Sequence, residues 1–160
     1  MTNKKSYGKI NDKLIEIGKE IKVFLENKVT QMYKNNVFLR IIGKSSINFE
    51  ELEKNIPLDF EKHKKGEVLR KILKVENDTA VLTLDFYEEE LEKKIDRLLN
   101  ELHPYKKYLN KISKCYDIIL RVYIESNYAQ MYQFLSKEIL FKIAEFPFDL
   151  EISVFSEGKV

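Results

Sequence analysis

Apolar residues in this chain keep two different rhythms, and the switch between them limits the fold class. Ile10, Leu14, Ile17, Ile21, Phe24 or Leu25, Val29 and Met32 recur at steps of three and four with Lys and Glu between them, the spacing of one helix face. From Asn36 the step falls to two. Val37, Leu39 and Ile41 alternate with Phe38, Arg40 and Ile42 before Gly43, which predicts a strand with both faces largely covered. A chain that changes period in this way carries helix and strand together. It divides into a long amphipathic helix over residues 1–35 and a single α+β domain over residues 36–160.

The same two rhythms continue to the end. Asn48 with Glu51 three positions on has capping-box character, and Phe49 with Leu52 gives a short helix one apolar stripe before Ile56-Pro57 stops it. Gly66 opens the next strand. Val68 to Val75 and Thr79 to Tyr87 read as two extended runs joined as a hairpin through Glu76-Asn77-Asp78. Glu88 to His103 places Leu91, Ile95, Leu98, Leu99 and Leu102 on one helix face behind an acidic first turn. Pro104 interrupts it, and Tyr105, Tyr108, Leu109 and Ile112 continue a helical spacing. Tyr116 to Glu125 predicts a strand, Ser126 to Phe134 an irregular stretch, and Ser136 caps a short helix that stops near Pro147. Phe148, Leu150, Ile152 and Val154 then alternate with polar residues in a last strand solvated on one face.

Helix, then βαββαβ, then αβ, is the order of a ferredoxin-like antiparallel sheet with helices on one face, extended by one αβ unit. At 160 residues the chain is long enough to build a core without a disulfide or metal, and its one Cys forbids an internal disulfide. With 28 Lys and Arg against 26 Asp and Glu, it lacks the basic excess of a dedicated DNA binder. The charge is unevenly spread: eight Lys stand against four acids through Asn35. That basic helix could pack on its own domain or pair with another chain as a homodimer seam, and Gly18 in its middle costs about 1 kcal/mol of helix propensity. No signal peptide and no apolar window of about 20 residues is present, so the expected location is cytoplasmic. The sequon Asn77-Asp78-Thr79 reads as a turn.

The pattern from Val37 to Phe155 resembles domain-of-unknown-function family 4279, a bacterial α+β family. The cues are the strand ending at Gly43, Phe49-Glu50-Glu51-Leu52, Ile56-Pro57 and Lys65-Gly66-Glu67. Leu98-Leu99 with Leu102, Leu135-Ser136 and Asp149-Leu150-Glu151-Ile152 then follow in order. Leu58 stands where the family would have a small hydroxyl residue, and the Trp expected near the second strand is missing. The resemblance implies no activity; small cytosolic domains of this kind are often linked to toxin-immunity or defence loci.

Catalytic constellations are few. His63, His103 and Cys115 are the only imidazoles and thiol, and HExxH, paired CxxC, GxxxxGK[ST], GxGxxG and GxSxG motifs do not occur. His103 at a helix end and Cys115 before a strand read as structural. Asp85, Glu88, Glu89 and Glu92, with an ExK spacing from Glu92 to Lys94, are the one acidic group close enough in sequence for a metal-assisted hydrolase. Their plainer reading is a solvated first turn. No cofactor is implied.

Two surfaces point to binding instead. Lys106, Lys107, Lys111 and Lys114 interleave with Tyr105, Tyr108 and Tyr116, a composition that can neutralise phosphates and stack on bases, although Tyr105 and Tyr108 also fall on the apolar stripe. The stretch from Asn127 to Phe134 carries no charge and is rich in Tyr and Met, side chains favoured at interface centres, which nominates Tyr128, Met131, Tyr132 and Phe134 as partner contacts. The plainer reading has Met131 and Phe134 closing the core beneath a strand edge. The leading expectation is a non-enzymatic protein-binding module, an immunity or inhibitor protein that occludes one cytosolic protein partner. The alternative is a nucleic-acid-binding accessory protein acting through the Lys/Tyr surface.

Overall fold

The computed structural model describes residues 33–44, 46–86, 90–128 and 133–159. In chain order the elements are β1 (Tyr33–Gly43), α1 (Phe49–Asn55), β2 (Phe60–His63), β3 (Val68–Leu69), β4 (Leu73–Lys74), β5 (Thr79–Thr83), α2 (Leu91–Leu102), a 3₁₀ turn (His103–Tyr105), α3 (Lys106–Ile112), β6 (Tyr116–Tyr128), α4 (Lys137–Ala144) and β7 (Asp149–Lys159). Five strands form one sheet in the order β2-β5-β1-β6-β7, and β3 pairs with β4 in a separate two-stranded ribbon.

The protein is thus α+β, and the sheet is mixed. β2, β5, β1 and β6 run antiparallel to their neighbours, whereas β7 lies parallel to β6 with Leu120 opposite Leu150 and Val122 opposite Ile152. This corrects the expectation of an antiparallel sheet throughout. Parallel neighbours need a crossover long enough to return the chain to its starting end, and the segment containing α4 supplies it.

Alternation decides which side is covered. Val37, Leu39 and Ile41 of β1, Ala80 and Leu82 of β5, and Ile118, Leu120, Val122 and Ile124 of β6 are almost fully buried. They pack with Leu52 and Ile56 at α1, Leu91, Ile95, Leu98, Leu99 and Leu102 of α2, Leu109 and Ile112 of α3, and Ile139 and Ile143 of α4 in one cluster. Each Val, Leu or Ile side chain so withdrawn from water contributes about 1.5–3 kcal/mol. Phe38, Arg40 and Ile42 point the other way and are only half-buried, so β1 has one covered face rather than two.

Boundaries moved where pairing overruled local pattern. Tyr33, Lys34 and Asn35, placed by sequence at the end of a helix, belong to β1 and pair with Ser126, Glu125 and Ile124 of β6. The rest of the expected helix over residues 1–35 lies outside the described residues. The run Val68 to Val75 is not a sheet strand: it folds on itself as the β3–β4 ribbon, and the strand beside β5 is β2, with Phe60 opposite Leu82. β5 ends at Thr83 rather than Tyr87, and β6 continues through Ser126 to Tyr128.

Caps follow the sequence closely. Asn48 Oδ1 accepts the Glu51 N–H at 3.1 Å, and Ser136 Oγ accepts the Ile139 N–H at 3.3 Å. Pro104 sits in the 3₁₀ turn that bends α2 into α3, where a missing N–H costs least. No helix among the described residues is long and apolar enough to cross a membrane.

Candidate functional site

The last third of the chain exposes apolar side chains that the sequence pattern assigned to the core. Leu150, Ile152 and Val154 share the covered side of the sheet with their register partners Leu120, Val122 and Ile124, yet they are 37 %, 49 % and 55 % exposed. Among the described residues β7 is an edge strand of the sheet, with β6 as its one neighbour. The expected order, apolar face in and polar face out, is therefore corrected. Leu140 and Phe141 on the outer side of α4, Phe134 before it and Phe155 on the opposite side of β7 are exposed as well. One long side of β7 pairs with β6, and among the described residues nothing in the sheet order stands on the other.

Of the four residues nominated as partner contacts, Phe134 is described and is 59 % exposed, which does not fit a core-closing role. Tyr128 ends β6, opposite Lys159 across a register shift in the β6–β7 pairing. Met131 and Tyr132 lie outside the described residues.

The lysine–tyrosine surface is partly spent on the fold. Lys106 Nζ lies 3.0 Å from a Glu145 carboxylate oxygen and 5.4 Å from the Phe146 ring centroid. Lys111 Nζ lies 3.6 Å from a Glu51 oxygen and 5.8 Å from the Tyr108 ring. Tyr105, Tyr108 and Tyr116 are half-buried against the core. Burial, followed by the Glu51 charge and Tyr116, raises the Tyr108 hydroxyl above its ordinary pKa. Lys107 and Lys114 are exposed.

Of the acidic group of the hydrolase reading, Asp85 and Glu92 are described. Asp85 is exposed, the Glu92 carboxylate accepts the Ser136 N–H at the start of α4, and Lys94 Nζ donates to the Asn35 carbonyl at 2.7 Å. Glu88 and Glu89 lie outside the described residues. Among the described residues no three His, Cys, Asp or Glu side chains come together as metal ligands. His103 and Cys115 are exposed. His63 is largely covered, its Nε2 3.1 Å from Glu61 and its Nδ1 3.5 Å from Glu67.

Two features were missed by sequence reasoning. Asp78, read only as part of a turn, is buried and accepts two backbone N–H groups, from Ile47 at 2.9 Å and Lys65 at 2.7 Å, while its own carbonyl accepts the Gly43 N–H at 2.9 Å. An Asp in a short polar link has the geometry for this, since its carboxylate can serve nearby backbone donors. The second is the β3–β4 ribbon. Arg70 and Lys71 at its tip both take left-handed backbone, φ 48° and 63°, and the Ile72 N–H closes the turn on the Leu69 carbonyl at 3.1 Å. Val68, Ile72 and Leu73 on this ribbon are 60 %, 86 % and 63 % exposed.

Taken together, the described elements define an α+β domain built on a five-stranded mixed sheet whose β7 edge strand exposes apolar side chains. Residues 30–156 match the family described as Domain of unknown function (DUF4279), and the chain belongs to that family. The match starts just before β1, so the family's region takes in the whole of the sheet's central strand. No curated protein and no solved structure matches the chain.

Proposed function

We propose that this protein is a non-enzymatic protein-binding module, an immunity or inhibitor protein of the bacterial cytosol that occludes one protein partner sterically. The supporting observation is the set of exposed apolar side chains at α4 and β7: Phe141, Ile152 and Val154, with Phe134 before α4 and Phe155 on the other side of β7, are each about half exposed or more. Large exposed apolar patches on soluble proteins mark interaction sites, and a free strand edge offers backbone donors and acceptors to an incoming segment. Five acids against three bases between Lys137 and Lys159 favour a partner surface with a cationic rim. On this reading β2, β5, β1 and β6 form a ferredoxin-like core, and α4 with β7 is the appended unit that carries the contact.

The test is capture of a partner by the tagged full-length protein from its native lysate, nuclease-treated and at moderate salt, beside the variants Ile152→Asp and Phe141→Asp. A stoichiometric protein retained by the parent and lost from both variants supports the proposal. Retention only when nuclease is omitted, with affinity that falls steeply as salt rises, overturns it in favour of nucleic-acid binding through Lys107 and Lys114.

A further inference from the structure

Away from the β7 edge, between the uncovered side of the sheet and the β3–β4 ribbon, lies a hollow of about 420 Å³. Its floor is Arg40 and Ile42 of β1 with Thr79 and Val81 of β5; Leu69, Leu73 and Lys74 of the ribbon form its roof, and His63 closes one side. This volume lies in the range of about 300–1,000 Å³ typical of small-ligand sites. Five aliphatic side chains, Ile42, Leu69, Leu73, Val75 and Val81, share the lining with charged and polar ones, the mixed lining of a site for an amphiphilic ligand.

Arg40 is the anomaly within it. It stands mid-strand on the open face, in register with Val81 on one side and Ile119 on the other, so aliphatic neighbours flank its stem. Among the described residues no acceptor meets its guanidinium. Arg121 offers the comparison, because it lies on the same face of the next strand, opposite Phe38. Its Nη2 is 3.2 Å from a Glu151 oxygen and 3.1 Å from Ser153 Oγ, and its guanidinium carbon lies 5.9 Å from the Phe38 ring centroid. One sheet arginine is thus satisfied by its own fold, and the other lines the hollow with the five donors of its guanidinium unmet. A half-buried guanidinium binds carboxylate oxygens in a fork geometry that an ammonium cannot reproduce.

We propose that this hollow binds a small monocarboxylate with an aliphatic body, its head on the Arg40 guanidinium and its body between Ile42, Leu73 and Val81. Lys74 adds a second cation to the lining, and Glu76, also on the wall, opposes a dianion. A single negative charge is the complement of that balance.

The probe is octanoate, with octanol, octylamine and inorganic phosphate as comparisons, titrated into the full-length ¹⁵N-labelled protein. Octanoate should shift the backbone amides of Ile42, Val75, Thr79 and Val81 saturably, while octanol and octylamine bind about tenfold more weakly or not at all, and phosphate alone leaves those amides in place. Arg40→Met, which keeps length and removes charge, should weaken octanoate by about tenfold or more. Should that variant fail to fold, Val81→Phe narrows the hollow with Arg40 intact and should weaken octanoate likewise. Three results would each overturn the proposal: no amide shifts at saturating octanoate, equal binding of octanol and octanoate, or unchanged affinity in the folded variant.

Discussion

Asp78 fastens three stretches of chain at one point: the end of β1 through the Gly43 N–H, the loop before α1 through Ile47, and the base of the β3–β4 ribbon through Lys65. The Lys65 and Ile47 N–H groups hold its carboxyl below the ordinary value of 3.8, against the opposing effect of burial, and the Lys64 and Lys65 charges add to the lowering. A carboxylate lowered in the folded state contributes stability that is present above the unfolded pKa and lost as pH falls through the folded one. Asp78→Ala should therefore cost about 2 kcal/mol at neutral pH, by stranding the buried Ile47 donor and the part-buried Lys65 donor. The thermal midpoint of the parent should fall below about pH 4 more steeply than that of Asp78→Asn, and a pH series of melting curves on both checks it. At the ribbon tip the opposite change is expected. Two consecutive left-handed residues that are not glycine cost about 1 kcal/mol each, so Arg70→Asn with Lys71→Gly should raise stability by about 1 kcal/mol in denaturant titration.

Among the elements, those whose apolar spacing is read along one segment were legible in the sequence, and those set by a distant neighbour were not. The five buried residues of α2, the Asn48 and Ser136 caps and the bend at Pro104 are local and stand as expected, although α2 starts at Leu91 with Glu90 as its N-cap rather than at Glu88. β2 was invisible because Glu61 and Lys62 hide a four-residue strand whose one deeply buried residue, Phe60, becomes meaningful only beside Leu82. β7 showed the plainest alternation of all, yet its apolar side is exposed because coverage depends on where the helices end. Truncation separates the two cases: Leu98→Ala in α2, fully buried, should cost about 3 kcal/mol, and Leu150→Ala in β7, 37 % exposed, under about 1 kcal/mol by equilibrium unfolding. Phe134 alone of the nominated contacts could be placed as an exposed side chain, and Arg40 gave no signal, since a lone Arg in a strand says nothing until its neighbours are known.

On the scale of the whole molecule the sheet has two unlike ends, a hollow beside β2, β5 and β1 and an apolar edge at β7. If β7 and α4 form the contact surface, the double variant Phe141→Lys with Ile152→Lys should abolish partner capture and any concentration-dependent sedimentation while leaving stability within about 0.5 kcal/mol, because neither residue is in the core. The central strand carries a different consequence. β1 is the first strand among the described residues, but on one edge Ile42 must meet Thr79 and on the other Gly43 must meet Tyr116, so neither edge is closed by anything nearby in the chain. A nascent chain emerging from the ribosome therefore holds this strand, with Val37, Leu39 and Ile41 of the core, unpaired while half the domain is still being made. Its refolding should be slow for its size, and its dependence on chaperones during synthesis correspondingly high.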